Sequence, residues 1–575
     1  MNTDIYTYIW QHVAELFKEI KLGEQFVPPK SSVQPPHNPK HGDISITSAM
    51  LAAKQFRCNP LDIAEKIKKG MESRIVEHIE QIEIVAPGFV NLRLKENTWA
   101  SFISYINNTD GDYGKTSLKS GKKVNIEYVS ANPTGPMHIG HARGAVFGDA
   151  LANLMETVGY EVTREYYIND AGAQIDILAR SALLRYQEAL GQKIKIGEGL
   201  YPGEYLKPVG EKLQEDYGAT LSKKPEQEQI GIARNTAVEA MMELIREDLE
   251  ALGVKHAIFV SEEKLHEEKK IEKAIQHLTE KGLVYKGIIE PPKGKEPPPD
   301  WEAEEQTLFR SSKFGDDTDR VLLKADGTPT YFAADIAYHF DKFQRGFTDM
   351  INVWGADHSG YVKRIKSAIE AISGGEAELD VKICQLVKLM RDGKPVKMSK
   401  RSGEFITLRN LVDEVGKNAV RFTMLTRKNE APLEFDFTKA VEKSRDNPVY
   451  YVQYAHARIC SVLRNADDFL YSGTEQYELL TDSAELSLIK TMCQYPRMVE
   501  MAATSHEPHR IAFYLNDLAS DFHALWNKGK DEPKLRFLQK DNPATTFVRL
   551  EMIKACQIVI RNALAILGVE AEEEM

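Results

Sequence analysis

The sequence predicts an α/β fold in parts: a parallel α/β unit, preceded by a small α/β module and followed by an all-helical region. Three observations predict it. A β-type run, a Gly/Pro turn and a helical pattern follow one another over residues 123–160, and similar strand–turn–helix joints stand in "DRVLLKADGTPTYFAADIAYH" and "DMINVWGADHSG". Short alternating runs fill the first 115 residues. From Asn447 onward the pattern is almost wholly helical.

Residues 1–115 form the N-terminal module. Its opening stretch, "MNTDIYTYIWQHVAELFKEI", has no basic segment followed by an apolar core, and reads as an amphipathic helix, not a leader. "GDISITSAMLAAK" follows, and the alternation of "IEIVAPGFVNLRL" about Pro87-Gly88 suggests a hairpin. "NNTDGDYGKTSLKSGKK", rich in Gly, Ser, Asp and Lys, marks a linker. The parallel unit is expected over 121–375, with "KVNIEYVS" and "EVTREYYIND" as strands around a helix. Two insertions interrupt it, a helical one at about 178–255 and a Pro- and charge-rich one at about 288–306. A stem region follows over 376–445. The helical region, 446–575, opens on "NPVYYVQYAHARI", where Asn447 is placed as the cap and Pro448 at the first helical position.

A chain of 575 residues is too long for one core, and three or four domains are expected. Apolar residues make up 42% and charged residues 28%, the balance of an ordinary water-soluble chain. No apolar stretch approaches the ~20 residues that a membrane-spanning helix requires. The five cysteines are far apart with no CxxC pair, which argues against a disulfide framework or cysteine-based zinc site and fits a reducing cytoplasm. A net charge of −11 argues against wholesale coating by nucleic acid while leaving room for a local basic surface.

Two short stretches carry chemistry. "GPMHIGHARG" places His138 and His141 at the start of the helix after "NIEYVS". Free N–H groups and the helix dipole favour an anion there, and side chains at i and i+3 share a face. Gly140 lets a flat ring approach the backbone. The pair could equally cap or pack the helix; zinc would need a third ligand, and none lies nearby in the sequence. The second stretch, "GKPVKMSKRSG", is a Gly-flanked cationic loop suited to a polyphosphate, or to a solvated turn.

Taken together, "HIGH" after the first strand and "KMSK" after the last resemble the signature pair of class I aminoacyl-tRNA synthetases. That resemblance implies a Rossmann-type nucleotide-binding catalytic domain that uses ATP with Mg²⁺ and holds no tightly bound cofactor. His138 and His141 would meet the α-phosphate side, and Lys397 and Lys400 would close over the β- and γ-phosphates. Met398 and Ser399 lie between the lysines, and Gly355 and Asp357 of "GADH" would meet the adenosine with Gly140. Catalysis of this kind is mainly positioning and stabilisation of phosphate charge.

The resemblance narrows to the arginyl-tRNA synthetases over essentially the whole length. It is carried by "GDISITSAM", "PGFVNLRL", "SANPTGPMHIGH", "EYYINDAGAQ", "FRSSKFGDDTDRVLLKADGTPTYFAADIAYH", "INVWGADHSGY" and "FDFTKAVEKSRDNPVYYVQYAHARI". It implies that Asn132, Glu262, Tyr331, Asp335 and His358 line an arginine pocket. A planar guanidinium with five donors is well met by carboxylates. Glu262 competes with its neighbour Glu263, and either could be a helix-start acid. Lys400 is present and Gly135 stands before Pro136, the pairing expected of members that use the loop lysine.

By the same resemblance, the helical region binds the anticodon, the N-terminal module meets the tRNA elbow, activation requires tRNA, and the chain is a cytoplasmic monomer with no membrane partner. Tyr450, Tyr451 and Tyr454, near Asn447, are candidates to stack on unpaired bases, or are core aromatics. Lys528, Lys530, Lys534 and Arg536 could follow phosphates, or form a solvated face. A cysteinyl enzyme would want zinc-binding cysteines and a glutamyl enzyme basic pocket residues; neither pattern is present. A non-catalytic RNA-binding paralogue would be free to lose the signature residues that this chain retains.

Overall fold

A computed structural model describes residues 3–20, 26–36, 38–117, 119–288, 304–396, 406–466 and 469–575. Lys397, Met398, Ser399 and Lys400 lie outside the described residues, as does most of the Pro-rich insertion. The chain divides into two compact units, Lys119–Val441 in one, Met1–Leu118 with Glu442–Met575 in the other.

In the second of these, helix Ile5–Glu19 is capped by Asp4, whose carboxylate accepts the Thr7 N–H at 2.9 Å. Ile5, Ile9, Val13 and Leu16 form its buried stripe, at spacings that keep one face inward. An antiparallel sheet runs Val33–Gln34, Ile44–Ile46, Phe89–Leu94, Ile79–Val85, and the last two strands make the hairpin expected about Pro87-Gly88. The helical region consists mainly of Pro448–Arg464, Ser483–Ser505, His509–Asp531 and Pro543–Leu567.

Two local expectations are corrected here. The first half of the supposed linker is packed. Tyr113 is 2% exposed and donates to the Met492 carbonyl at 3.1 Å, and Asn107 and Asn562 add bonds to Glu551 and Asp110. One buried ring outweighs the polar composition around it. Asn447 occupies the cap position but does not cap its helix: its side-chain amide turns back to donate to the Glu442 carbonyl at 2.9 Å.

The other unit is built on five parallel strands, β1 (Lys123–Glu127), β2 (Glu161–Ile168), β3 (Ile258–Ser261), β4 (Asp349–Gly355) and β5 (Glu378–Cys384). Their order in the sheet is β5-β4-β1-β2-β3. Helix α1 (Ile139–Thr157) joins β1 to β2. Gly148 lets Tyr128 lie against α1, since a Cβ there would stand 2.3 Å from the ring. Helices α2 (Ala173–Ala189), α3 (Lys207–Tyr217) and α4 (Glu226–Ala251) form the inserted helical part, with a core of its own around Leu178, Tyr186, Leu213 and Met241. Short α5 (Glu262–Glu267), α6 (Lys270–Glu280) and α7 (Tyr331–Gln344) lie between β3 and β4, and α8 (Val362–Ser373) between β4 and β5. A three-stranded antiparallel sheet, Val284–Gly287, Gln306–Phe309 and Arg320–Leu323, lies between α6 and α7.

The strand order reverses direction between β1 and β4. In an open α/β sheet, ligands bind at that switch, beyond the carboxyl ends of the strands. "HIGH" follows β1, and "GADH" follows β4.

Candidate active site

Beyond β1 the chain enters left-handed backbone at Val129 (φ +72°) and Ser130 (φ +40°), a conformation that a β-branched residue rarely adopts. Side chains hold it there. Ser130 Oγ donates to Glu127 at 3.1 Å and accepts the Tyr167 N–H at 3.1 Å, while the Tyr166 hydroxyl donates to the Ala131 carbonyl at 2.8 Å. The turn leaves Asn132 exposed, its amide donating to Gln174 at 2.9 Å.

His138 sits at the N-cap of α1. Its Nδ1 accepts the Gly140 N–H at 3.0 Å, and His141 Nδ1 accepts the His138 N–H at 3.2 Å. The rings stack with centroids 4.0 Å apart. Gly140 is needed for this, because a Cβ would meet the His138 ring at 2.8 Å. With both Nδ1 atoms accepting, the ring proton of each imidazole falls on Nε2, which is then a donor. The capping reading holds, and it uses only one nitrogen of each ring.

Across the switch, β4 ends at Gly355. Asp357 and His358 follow on a short 3₁₀ turn, both exposed, with His358 Nε2 3.4 Å from the Asp357 carboxylate. A Cβ on Gly355 would crowd Asp357 at 2.6 Å. His358 lies loosely on Trp354, centroids 6.0 Å apart.

Glu262 and Asp335 belong to one electrostatic group. Glu262 opens α5 and is 4% exposed, whereas Glu263 is half-buried, its backbone N–H donating to Asp170 at 2.9 Å and its carboxylate 3.9 Å from Arg234. Burial, then the charge of Asp335, push the Glu262 carboxyl up to about 7; a hydrogen bond from Tyr167 works the other way. Asp335 accepts the Tyr361 hydroxyl at 2.5 Å, yet burial pushes its carboxyl up to about 7 as well. Tyr331, one helical turn earlier, is 71% exposed with its hydroxyl over Gly172, where a Cβ would stand 3.4 Å away.

A buried chain of polar groups fixes the floor. Lys342, wholly buried, pairs with Glu127 at 2.8 Å and donates to Asn352 at 3.3 Å. The Asn352 amide donates to His339 Nε2 at 2.9 Å, so the proton on Nδ1 goes to the Asp335 carbonyl at 2.8 Å. Burial pushes the His339 ring down to about 4, which keeps it neutral in this role.

Sequence reasoning missed Tyr167, Asp170, Gln174 and Tyr361. Tyr167 and Tyr361 lie in motifs quoted above, but nothing local distinguishes them from core tyrosines. In the helical region Tyr450 stacks on Tyr454 with centroids 5.5 Å apart, Arg458 donates to the Tyr454 hydroxyl at 2.6 Å, and Tyr451 lies on His523 at 4.5 Å. Asn447 is buried. Lys528 pairs with Asp482 at 2.6 Å and Lys534 with Glu532 at 3.4 Å, so part of the basic stretch is already neutralised.

Three family models match the chain: "Arginyl tRNA synthetase N terminal domain" over 5–94, "tRNA synthetases class I (R), catalytic domain" over 103–459, and "DALR anticodon binding domain" over 452–575. The chain is similar to the arginine–tRNA ligase of Parvibaculum lavamentivorans, 57% identical over 95% of this chain and 94% of that one. It is 54% identical to that of Rhodopseudomonas palustris over 94% of this chain and 93% of that one. Among solved structures, an arginyl tRNA synthetase from Campylobacter jejuni superposes with a TM-score of 0.72 and 32% identity, covering 84% of this chain and all of that one. The Thermus thermophilus arginyl-tRNA synthetase shares the fold, with a TM-score of 0.74 at 21% identity over 99% of this chain and all of that one. Matched from end to end by the family's own three domains, the chain belongs to the arginyl-tRNA synthetases of class I.

Proposed function

We infer that the chain is an arginine–tRNA ligase. It activates L-arginine with ATP, releasing pyrophosphate, and transfers arginine to the 3′-terminal adenosine of its cognate tRNA. The observation that carries this reading is the pair of desolvated carboxyl groups, Glu262 and Asp335, in a unit whose switch strand β1 leads into a helix start bearing two stacked imidazoles.

In the first step a carboxylate oxygen of arginine bonds to the α-phosphorus and the bond to the β-phosphate oxygen breaks. Glu262 and Asp335 accept hydrogen bonds from the guanidinium, with Asn132, Tyr331 and His358 completing the arginine site. His138 and His141 stabilise charge on the α-phosphate side, Lys397 and Lys400 charge on the leaving pyrophosphate. Gly140, Gly355, Asp357, Met398 and Ser399 frame the nucleotide. In the second step a ribose hydroxyl of the tRNA attacks the arginyl carbonyl and AMP leaves. Mg²⁺ supplies charge neutralisation as part of the nucleotide complex: no group of three or more His, Cys, Asp or Glu able to hold a metal occurs among the described residues, and this ion is commonly held through substrate phosphates. Asn447, Tyr450, Tyr451 and Tyr454 belong to the tRNA side, where the stacked Tyr450/Tyr454 pair suits an unpaired base and buried Asn447 supports its frame. The family reading makes the chain a cytoplasmic monomer.

The test is arginine-dependent ATP–pyrophosphate exchange with and without tRNA of arginine specificity, with lysine and glutamate as controls. Exchange with arginine alone among the amino acids, and only with tRNA present, is the expected result. Exchange without tRNA would keep the ligase and discard the coupling. No exchange from folded, tRNA-binding protein would favour a non-catalytic RNA-binding role.

A further inference from the structure

Arg143 lies two residues past His141, in the second turn of α1, and is 2% exposed. Its Nη1 donates to the carbonyls of Gln385 at 2.9 Å and Ala431 at 2.7 Å, and its Nη2 to that of Lys428 at 2.8 Å. These carbonyls are not scattered. Gln385 follows β5 and leads into the strand Val387–Arg391; Ala431 leads into the strand Leu433–Asp436. The two strands pair in parallel, from Val387 opposite Leu433 to Met390 opposite Asp436. The first of them continues through Lys394–Pro395 towards residues 397–400.

One guanidinium therefore fastens the histidine-bearing helix to the roots of both strands of the platform that leads into the lysine signature. The same two segments are tied to each other, with Asn429 donating to the Ile383 carbonyl and Gln385 to the Asn429 carbonyl, both at 2.9 Å. Where the chain returns from the lysine segment, the Leu408 N–H donates to the Met137 carbonyl at 2.8 Å and Thr407 bridges to His138. The histidine turn is thus the common reference for the chain on either side of that segment.

The chemistry of the contact points the same way. A guanidinium this far from water ordinarily faces a carboxylate. Here three neutral carbonyls meet it, and burial pushes its pKa down. Only a planar fork with fixed donor directions reaches three separate carbonyls at once, which a lysine ammonium on a flexible stem does not reproduce. A position needed for packing alone would be filled at lower cost by an apolar side chain.

We propose that Arg143 is a positioning residue for the ATP chemistry: it sets the separation between the His138/His141 turn and the two-stranded platform of Val387–Arg391 and Leu433–Asp436, which precedes residues 397–400 in the chain. The proposal rests on the aminoacylation reading above.

The experiment compares wild type, Arg143→Lys and Arg143→Met in two assays, tRNA-supported ATP–pyrophosphate exchange and L-arginine binding by calorimetry. A misplacement near 1 Å costs about 100-fold in rate, so Arg143→Met is expected to lose about that factor in kcat/KM for ATP. Arginine affinity should stay within about twofold, because the acidic pair takes no part in the clamp, and Arg143→Lys should recover part of the loss. Unchanged ATP kinetics in folded Arg143→Met would overturn the proposal. So would a parallel fall in arginine affinity and ATP kinetics, the mark of a merely structural role. Should Arg143→Met not fold, Arg143→Lys is judged by the same two readings. A wild type without arginine-dependent exchange would overturn the functional reading itself, and this inference with it.

Discussion

At the start of α1 His138 and His141 are half-exposed and fixed by backbone N–H groups, whereas Glu262 is withdrawn from water and side chains fix the acidic pair. The difference follows from the ligands each group suits. A triphosphate arrives with its own counter-charge, changes charge during reaction and leaves as pyrophosphate, so donors beside solvent serve it. A guanidinium is permanently charged and does not react. It is recognised best where the acceptors have lost their water, because an unmatched carboxylate is then costly and a neutral analogue gains nothing. On the proposed function, raised carboxyl groups in one place and imidazole N–H donors in the other are two consequences of one division of labour.

The contrast can be broken most severely at Asp335. Asp335→Asn keeps the shape and removes one charge. Truncating one partner of a buried charge pair costs about 2–5 kcal/mol, so arginine affinity should fall roughly 30- to 3,000-fold while ATP affinity changes little, as steady-state kinetics against both substrates will measure. His141→Ala should do the reverse, lowering kcat about 100- to 1,000-fold with arginine binding retained. It also removes an acceptor for the His138 N–H, so a melting curve should show a loss of about 1 kcal/mol.

Proton linkage sharpens the comparison. Glu262 and Asp335 titrate near 7 in the free protein, and a bound guanidinium favours their ionised forms. Binding therefore releases protons, and arginine affinity rises as pH climbs from about 6 to about 8, then levels off. For the ligand-free protein the sign is opposite. Groups raised from 4.5 and 3.8 hold protons in the folded state that the unfolded chain has lost, so their contribution to stability falls as pH rises from about 4 to about 7. Melting curves with and without arginine at pH 5, 6, 7 and 8 will show the two trends diverging. The smallest expected effect is at Tyr361. Tyr361→Phe removes the bond that favours ionised Asp335, which should weaken arginine at pH 7 about threefold to tenfold and move the affinity profile to higher pH.

Strands β1, β2 and β4 were legible in the sequence because each ends in a Gly- or Asn-bearing turn followed by a helical pattern, whereas β3, which runs straight into α5, and β5, which leads into another strand, carry no such local signal. The histidine turn was legible for the same reason: N-cap, i+3 partner and intervening glycine lie within four residues. What was not legible depends on distant partners. Glu262 and Glu263 are neighbours in sequence, and only the fold, which brings Tyr167 and Asp335 to Glu262, buries the first while the second stays half-buried. Tyr361 earns no notice until α7 brings Asp335 to it. The polar stretch around Tyr113 read as a linker because composition says nothing of a carbonyl, that of Met492, far along the chain. Lys528 kept two readings in the sequence and has a carboxylate partner in the fold.

The central claim, that the buried pair reads a charged guanidinium, is tested most directly by titrating the protein with L-arginine and with L-citrulline, whose neutral urea keeps the shape and loses the charge. The account predicts that arginine binds at least about 100-fold more tightly at pH 7.5, and that Asp335→Asn narrows the gap to below about tenfold. Equal binding of the two ligands to the wild type, or an unchanged preference in Asp335→Asn, would contradict it.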